Sequence, residues 1–280
     1  MILNDDVFKL EGVLGGKVPW RLLRVLLERP YLNFSPTALA EALDTSRASV
    51  LRVLETLGEH ALIRDLEGGR YQANTEHELI RQLWSLFNLE RRINLQAAFK
   101  NAIDMFFSSV RESVEVFIVF GSVSRGMATE RSDIDVCVVG EEIKEHRFDF
   151  LPQRFEIHNY QRQELEDVTD FVILDSVLNG IVLKGADFVF DILKDLRAFP
   201  KEYLIYRLNK AKQFYERAAD LEGEAQDYYR TLANMAVGEV DHVLHQGATV
   251  SRWEMETFSR EDIATLEEEL AREGGQVWLT

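Results

Sequence analysis

Apolar positions along this chain change period several times, and the changes mark out its elements. Trp20, Leu22, Leu23, Val25, Leu26 and Leu27 follow a helical period that Pro30 ends. Residues 1–16 ahead of them read as a short arm. Ser35-Pro36 supplies an N-cap with proline at the first helical position, opening a helix through Leu43. Asp44-Thr45-Ser46 opens another over Arg47–Leu57, with Val50, Leu51, Val53, Leu54 and Leu57 on its inner face. Two short extended pieces, Leu62-Ile63 and Tyr71–Asn74, then flank a charged turn containing Gly68-Gly69. Helical spacing resumes from Glu76 to about Leu95 and again over Ile93–Ser109.

The period becomes that of a buried strand at Val116–Phe120, an unbroken apolar run. Gly121-Ser122 stops it, Arg125-Gly126 closes a short turn, and the polar loop Ala128–Ser132 leads to a second run, Ile134–Val139. After the charged segment Glu141–Asp149, the stretch Phe155–Tyr160 alternates: Phe155 and Ile157 point one way, Glu156 and His158 the other. A continuous helix is expected from Glu164 to a glycine stop at Gly180, then a short apolar strand and a helix over Phe188–Asp195. Tyr203–Gly247 predicts an antiparallel helix pair turning near Glu222-Gly223-Glu224, and Ser259 caps a last, charged helix. The fold class that follows is α+β: an N-terminal helical unit with a hairpin, a central mixed β-sheet with helices, and a C-terminal α-helical region. The boundaries expected are 1–75, 76–112 (connecting helices), 113–198 and 199–280, with no glycine- or proline-rich linker between them.

Composition narrows the setting. A 280-residue chain with 46% apolar residues can build two or three cores. Its single cysteine, Cys137, excludes an internal disulfide and lies within an apolar strand as a small buried hydrophobe. No apolar run is long enough for a bilayer, and acids stand near the N-terminus where a signal peptide carries bases, so a cytoplasmic protein without a membrane partner is expected. Net charge is −16, which disfavours indiscriminate nucleic-acid binding because that binding rests on neutralising phosphates; a local basic face stays compatible with it.

The chemistry concentrates at Asp133 and Asp135. Two apart on a strand, they face the same side. Mg²⁺ prefers oxygen ligands and is completed by one or two carboxylates, water and substrate phosphates. Two such ions about 3.5–4 Å apart clamp the attacking and leaving oxygens of a phosphoryl transfer. The plainer reading makes Asp133 a turn cap and Asp135 an edge-strand charge.

Gly121-Ser122, Arg125-Gly126 and Ser132-Asp133-Ile134-Asp135 together resemble the signature of the DNA polymerase beta-like nucleotidyltransferase superfamily, most closely its minimal members, over roughly Glu115–Gly185. The resemblance implies that the turn holds the triphosphate, giving Gly121, Ser122 and Arg125 as nucleotide-binding residues. It implies that Asp133 and Asp135 bind two divalent ions, Mg²⁺ or Mn²⁺, and that a third carboxylate on a later strand completes the site. Glu156 is the candidate, as metal ligand or as base on the acceptor hydroxyl, where many relatives have aspartate. Arg125 fits a structural ion-pair partner at least as well, and His158, on the same face as Glu156, reads as a surface histidine.

The N-terminal order of helix, helix, tight turn, helix and two-stranded wing resembles the winged helix-turn-helix of archaeal and bacterial regulators. That implies a recognition helix over Arg47–Leu57, with Ser46, Arg47, Ser49 and Arg52 facing DNA and Arg70 on the wing reaching a phosphate. Such domains also serve for protein docking or dimerisation, and residues 1–80 hold nine bases against twelve acids. The C-terminal helices faintly resemble HEPN-type helices, without the arginine–histidine spacing of HEPN ribonucleases, and are expected to form a scaffold, a homodimer surface or a seat for a helical partner protein. The function expected is metal-dependent transfer of a nucleoside monophosphate from an NTP such as ATP to an acceptor hydroxyl on protein, RNA or a small molecule, releasing pyrophosphate. The alternative is a DNA-binding transcriptional regulator whose transferase unit senses nucleotide or acts as an antitoxin-like partner module.

Overall fold

A computed structural model describes residues 17–126, 128–129, 132–144, 151, 153–168, 170–245 and 258–278. The N-terminal arm and the later part of the charged 141–149 segment lie outside the described residues. The chain begins with α1 (Lys17–Glu28), α2 (Pro36–Ala42) and α3 (Arg47–Glu59), followed by β1 (Ile63–Leu66) and β2 (Arg70–Ala73). Ser35 and Ser46 act as the N-caps of α2 and α3, accepting from the backbone N–H of Ala38 at 3.1 Å and of Ser49 at 3.2 Å. β1 and β2 pair antiparallel with Ile63 opposite Ala73, and Leu22, Leu26, Leu39, Val50 and Leu54 are buried between the helices. Helical and extended pieces thus appear in the order expected from the periodicity.

Next come α4 (Glu78–Ile93), α5 (Ala97–Val110), β3 (Val114–Phe120), α6 (Gly121–Ser124), β4 (Ile134–Gly140), β5 (Phe155–Tyr160), α7 (Arg162–Asp167), α8 (Phe171–Asn179), β6 (Ile181–Lys184) and α9 (Ala186–Asp195). The four strands form a mixed sheet in the order β5-β4-β3-β6, with β3 antiparallel to both neighbours and β4 parallel to β5. Both faces are covered, which is why β3 and β4 read as unbroken apolar runs. Phe99, Ile103 and Phe106 of α5 pack with Phe117, Val119, Val136 and Phe155. On the opposite face Ile173, Leu174 and Val177 of α8 share a core with Val116, Ile118 and Cys137.

One expectation changes here. The helix expected from Glu164 to Gly180 is two helices. Val168 adopts a left-handed φ of 45°, and Asp170 caps α8 by accepting from the Val172 N–H at 2.6 Å. A local side-chain cap competes with helix continuation at an aspartate, and here it wins. The C-terminal region holds β7 (Ala198–Pro200), α10 (Lys201–Ala219), α11 (Glu224–His245), α12 (Arg260–Arg272) and β8 (Gln276–Trp278). α10 and α11 pack along each other as expected, and Ser259 and Asp262 form a capping box at α12. The β7–β8 antiparallel pair was not foreseen: strands of three residues are too short to display a period. Among the described residues no helix is long and apolar enough to cross a membrane.

Polar side chains from the N-terminal third converge on the C-terminal end of α8. Arg91 donates to the carbonyls of Gly180 at 2.7 Å and Asn179 at 2.6 Å, while Arg29 donates to the Leu178 carbonyl and to Asn179 Oδ1, both at 2.9 Å. Cations belong at this end of a helix, where carbonyls lack intrahelical partners. Asn88 Oδ1 accepts from the N–H of Val182 at 3.2 Å, tying α4 to β6. Gly180 must stay glycine, because a Cβ there would collide with Ile118 Cγ2 and the Ser176 carbonyl. Replacing Arg91 by alanine is expected to cost about 2–3 kcal/mol by stranding buried carbonyls, with lysine recovering part of it. Urea denaturation of the three proteins measures both differences.

Candidate functional site

The sheet register brings three side chains to one place. Asp135, the second residue of β4, pairs with Phe120 on β3 and with Glu156 on β5; Cys137 pairs with His158. In a parallel pair with this register, Asp135, Glu156 and His158 leave the sheet on the same face. One ligand-type atom from each lies within 4.8 Å of the others. His158 Nε2 is 3.5 Å from Glu156 Oε1. Asp133 precedes β4 and is close enough to act on the charge of Asp135, yet its carboxylate does not join that group of three.

The turn after β3 closes over this face. Gly121 has φ +69°, the left-handed region, and a Cβ on it would run into the Asp135 carboxylate. Glycine is therefore required twice, for the turn itself and for the approach of backbone to carboxylate. Ser124 is buried and donates to the Gly121 carbonyl at 3.1 Å, tightening the turn, so Ser122 is the hydroxyl left lining the cleft. Arg125 ends the turn and is occupied: its Nη2 donates to both carboxylate oxygens of Asp175 on α8. Asp175 Oδ1 also accepts from Asn179 Nδ2 at 2.8 Å.

Electrostatics mark Asp135 out. Burial, followed by the like charges of Glu156 and Asp133, raises its pKa to about 6, against the opposing pull of Arg125. A carboxyl group in this state binds a cation or a proton readily, since either relieves the repulsion. The group fits a divalent ion: ligand-type atoms of two carboxylates and an imidazole lie within 4.8 Å of one another at the mouth of a cleft.

A cleft of about 740 Å³ opens from this face. Its walls come from well-separated stretches of the chain: Arg29 beside α1, Trp84 and Arg91 on α4, the Gly121-Ser122 turn, and Tyr206, Arg207 and Lys210 on α10. Arg207 is paired with buried Glu239 at 2.6 Å, and Tyr203 donates to the same carboxylate at 3.1 Å. Tyr206 stacks on Phe171 with centroids 5.8 Å apart and stays exposed at the rim.

Of the residues singled out from sequence, the structure thus gathers Gly121, Ser122, Arg125, Asp135 and Glu156 at one cleft, with Asp133 beside it. It adds His158, a surface residue by sequence alone, although the Glu156–His158 alternation puts both on one face. Asp175, Arg91 and the α10 residues carried no local signal. The proposed DNA-facing residues lie elsewhere. Arg47 and Arg52 are exposed on α3, Ser46 is engaged as its cap, and Ser49 is partly exposed. Arg70 is held by Asn33, through its side-chain oxygen and through its carbonyl at 2.9 Å.

Comparison with known proteins agrees with the central unit. No curated protein matches the chain. Residues 103–203 match the family model of the nucleotidyltransferase domain, a stretch running from within α5 through the whole sheet to the start of α10, and this match supports a nucleotidyl-transferring enzyme that takes an NTP.

Proposed function

We propose that this protein transfers a nucleoside monophosphate from an NTP to an acceptor hydroxyl with release of pyrophosphate, in a metal-dependent reaction. The observation that carries the reading is the convergence of Asp135 and Glu156 across the β4–β5 register directly beneath the Gly121-Ser122 turn. In this reading Asp133, Asp135 and Glu156 are the carboxylates that hold divalent ions, which when bound neutralise phosphate charge and polarise the reacting oxygens. Gly121 lets backbone approach the β- and γ-phosphates, and the Ser122 hydroxyl donates to them. Arg125, anchored by Asp175, positions the turn and contributes positive charge to it. Glu156, more exposed than Asp135, serves either as the third carboxylate ligand or as the base that takes the proton of the acceptor hydroxyl. Rate enhancement then comes mainly from positioning and fixed charge, as in phosphoryl transfer generally.

A second reading keeps DNA as a partner. It rests on the exposed Arg47 and Arg52 at the start of α3, within a helical unit that ends in a hairpin. A band-shift titration discriminates: specific binding that weakens with rising salt and with Arg47→Ala or Arg52→Ala supports it, and absence of binding at low salt removes it.

Three outcomes test the transferase reading. Asp135→Asn is expected to lower turnover by about 10²–10³-fold or more, the scale of losing one preorganised charge-stabilising group. The assay is transfer of label from each α-labelled NTP, and full activity would sink the mechanism. Gly121→Ala should also reduce turnover, by displacing the Asp135 carboxylate. The third outcome concerns stability. The folded protein holds the Asp135 proton more tightly than the unfolded chain, whose carboxyl has its ordinary value of 3.8. The ionised group therefore destabilises the metal-free fold above about pH 6, and that penalty is lost as pH falls through 6 towards 4. Metal-free Asp135→Asn should accordingly melt above the wild type at pH 8, with the difference gone near pH 4.

A further inference from the structure

The carboxylates at the site have roles in the reading above; His158 does not. Three observations concern it. The β4–β5 register sets it opposite Cys137, two residues beyond Glu156, on the same face as Asp135. Its Nε2 lies 3.5 Å from Glu156 Oε1 and within the group whose ligand atoms are all within 4.8 Å of one another. Its ring is held from the side by Phe120, centroids 5.5 Å apart at 59°, and its side chain is only 24% exposed. Phe120 is the residue immediately before the Gly121 turn, so the turn and the imidazole are positioned by one side chain and its backbone.

We propose that His158 Nε2 is a metal ligand alongside Asp135 and Glu156, and that this nitrogen makes the centre take Mn²⁺ in preference to Mg²⁺. The inference rests on the metal-dependent reading of the site and goes beyond it, since the sequence signature supplies only carboxylates. Mg²⁺ is a hard ion that takes oxygen ligands, demands near-ideal octahedral geometry and keeps its waters. Imidazole is a better ligand for first-row transition ions, while carboxylate, phosphate and water oxygens remain good ligands for Mn²⁺. Two carboxylates and one imidazole thus form a donor set from which Mn²⁺ gains a bond that Mg²⁺ uses poorly. Phosphate oxygens and water in the adjoining cleft would complete the shell of such an ion. Phe120 restrains the ring before any ion arrives, which would lower the ordering cost of binding.

The test is spectroscopic and does not depend on turnover. The full-length protein is loaded with Mn²⁺ alone and examined by pulsed electron paramagnetic resonance for coupling to a directly bound imidazole nitrogen, with and without ¹⁵N-histidine labelling. Binding of Mn²⁺ and of Mg²⁺ is measured by calorimetry on wild type and His158→Gln. The expected result is a histidine nitrogen coupling in the wild type that is lost in the variant. Mn²⁺ affinity should fall at least about tenfold, the lower end of what outer-shell changes already cost, with Mg²⁺ affinity unchanged. Absence of Mn²⁺ binding to wild type, bound Mn²⁺ without histidine nitrogen coupling, or coupling that survives His158→Gln overturns the proposal. The labelling arm needs no variant, so it stands even if His158→Gln misfolds. The two readings fail separately: Mg²⁺-supported nucleotidyl transfer with no nitrogen coupling sinks only the His158 ligation, and nitrogen coupling without transfer from any NTP sinks only the transferase reading.

Discussion

The candidate site depends on a continuous polar chain that runs from the N-terminal helices to the Gly121 turn. Arg29, just past α1, donates to Asn179; Asn179 donates to Asp175; Asp175 receives Arg125; and Arg125 ends the turn that begins at Gly121. Arg91 holds the carbonyls on either side of the same helix end. Its burial lowers its pKa to about 10, which still leaves it charged at neutral pH and able to hold those carbonyls. Burying guanidinium groups in this way is costly unless their donors are satisfied. Here the Nη donors of Arg29, Arg91 and Arg125 tie three separate stretches of chain to α8, and the Gly121 turn inherits its position from them.

The carboxylate face shows the opposite economy. Asp135 is placed where burial and two like-charged neighbours disfavour its ionised form, and the backbone of Gly121 presses against it. Nothing in packing the sheet requires an acid there. A side chain kept in an unfavourable charge state by an otherwise well-packed fold marks a candidate functional group. The apolar surroundings of β3 and β4, covered by α5 on one face and α8 on the other, supply the rigidity that keeps the group from relaxing away.

The cleft is composite. The segment matching the nucleotidyltransferase domain supplies the floor, whereas α1, α4, α10 and α11 supply the walls. Tyr206 and Lys210, one turn apart on α10, face the same opening with the Lys210 ammonium 5.6 Å from the Tyr206 ring centroid. Residues outside the matched segment thus line much of the opening. Of the N-terminal unit, Arg29, which follows the first helix, reaches the cleft, whereas the exposed arginines of α3 lie away from it.

The local sequence determined the elements and most of the chemistry. Unbroken apolar runs specify strands buried on both faces, a glycine between them specifies a sharp turn, and the Glu156–His158 alternation specifies which side chains share a face, because these follow from nearest-neighbour backbone geometry. Serine caps were legible for the same reason. Even so, the break between α7 and α8 was missed, since the Asp170 cap and the helix it interrupts are both locally allowed. Only the tertiary structure decided which residues meet. Pairing β4 with β5 in parallel joined Asp135 to Glu156 and His158 across about twenty residues of chain, a register that periodicity alone leaves open. The arginines that brace α8 come from positions about ninety to one hundred and fifty residues away. No pattern of apolar spacing encodes such a contact, because its energy arises from desolvated charge meeting helix-end carbonyls once the cores have already packed.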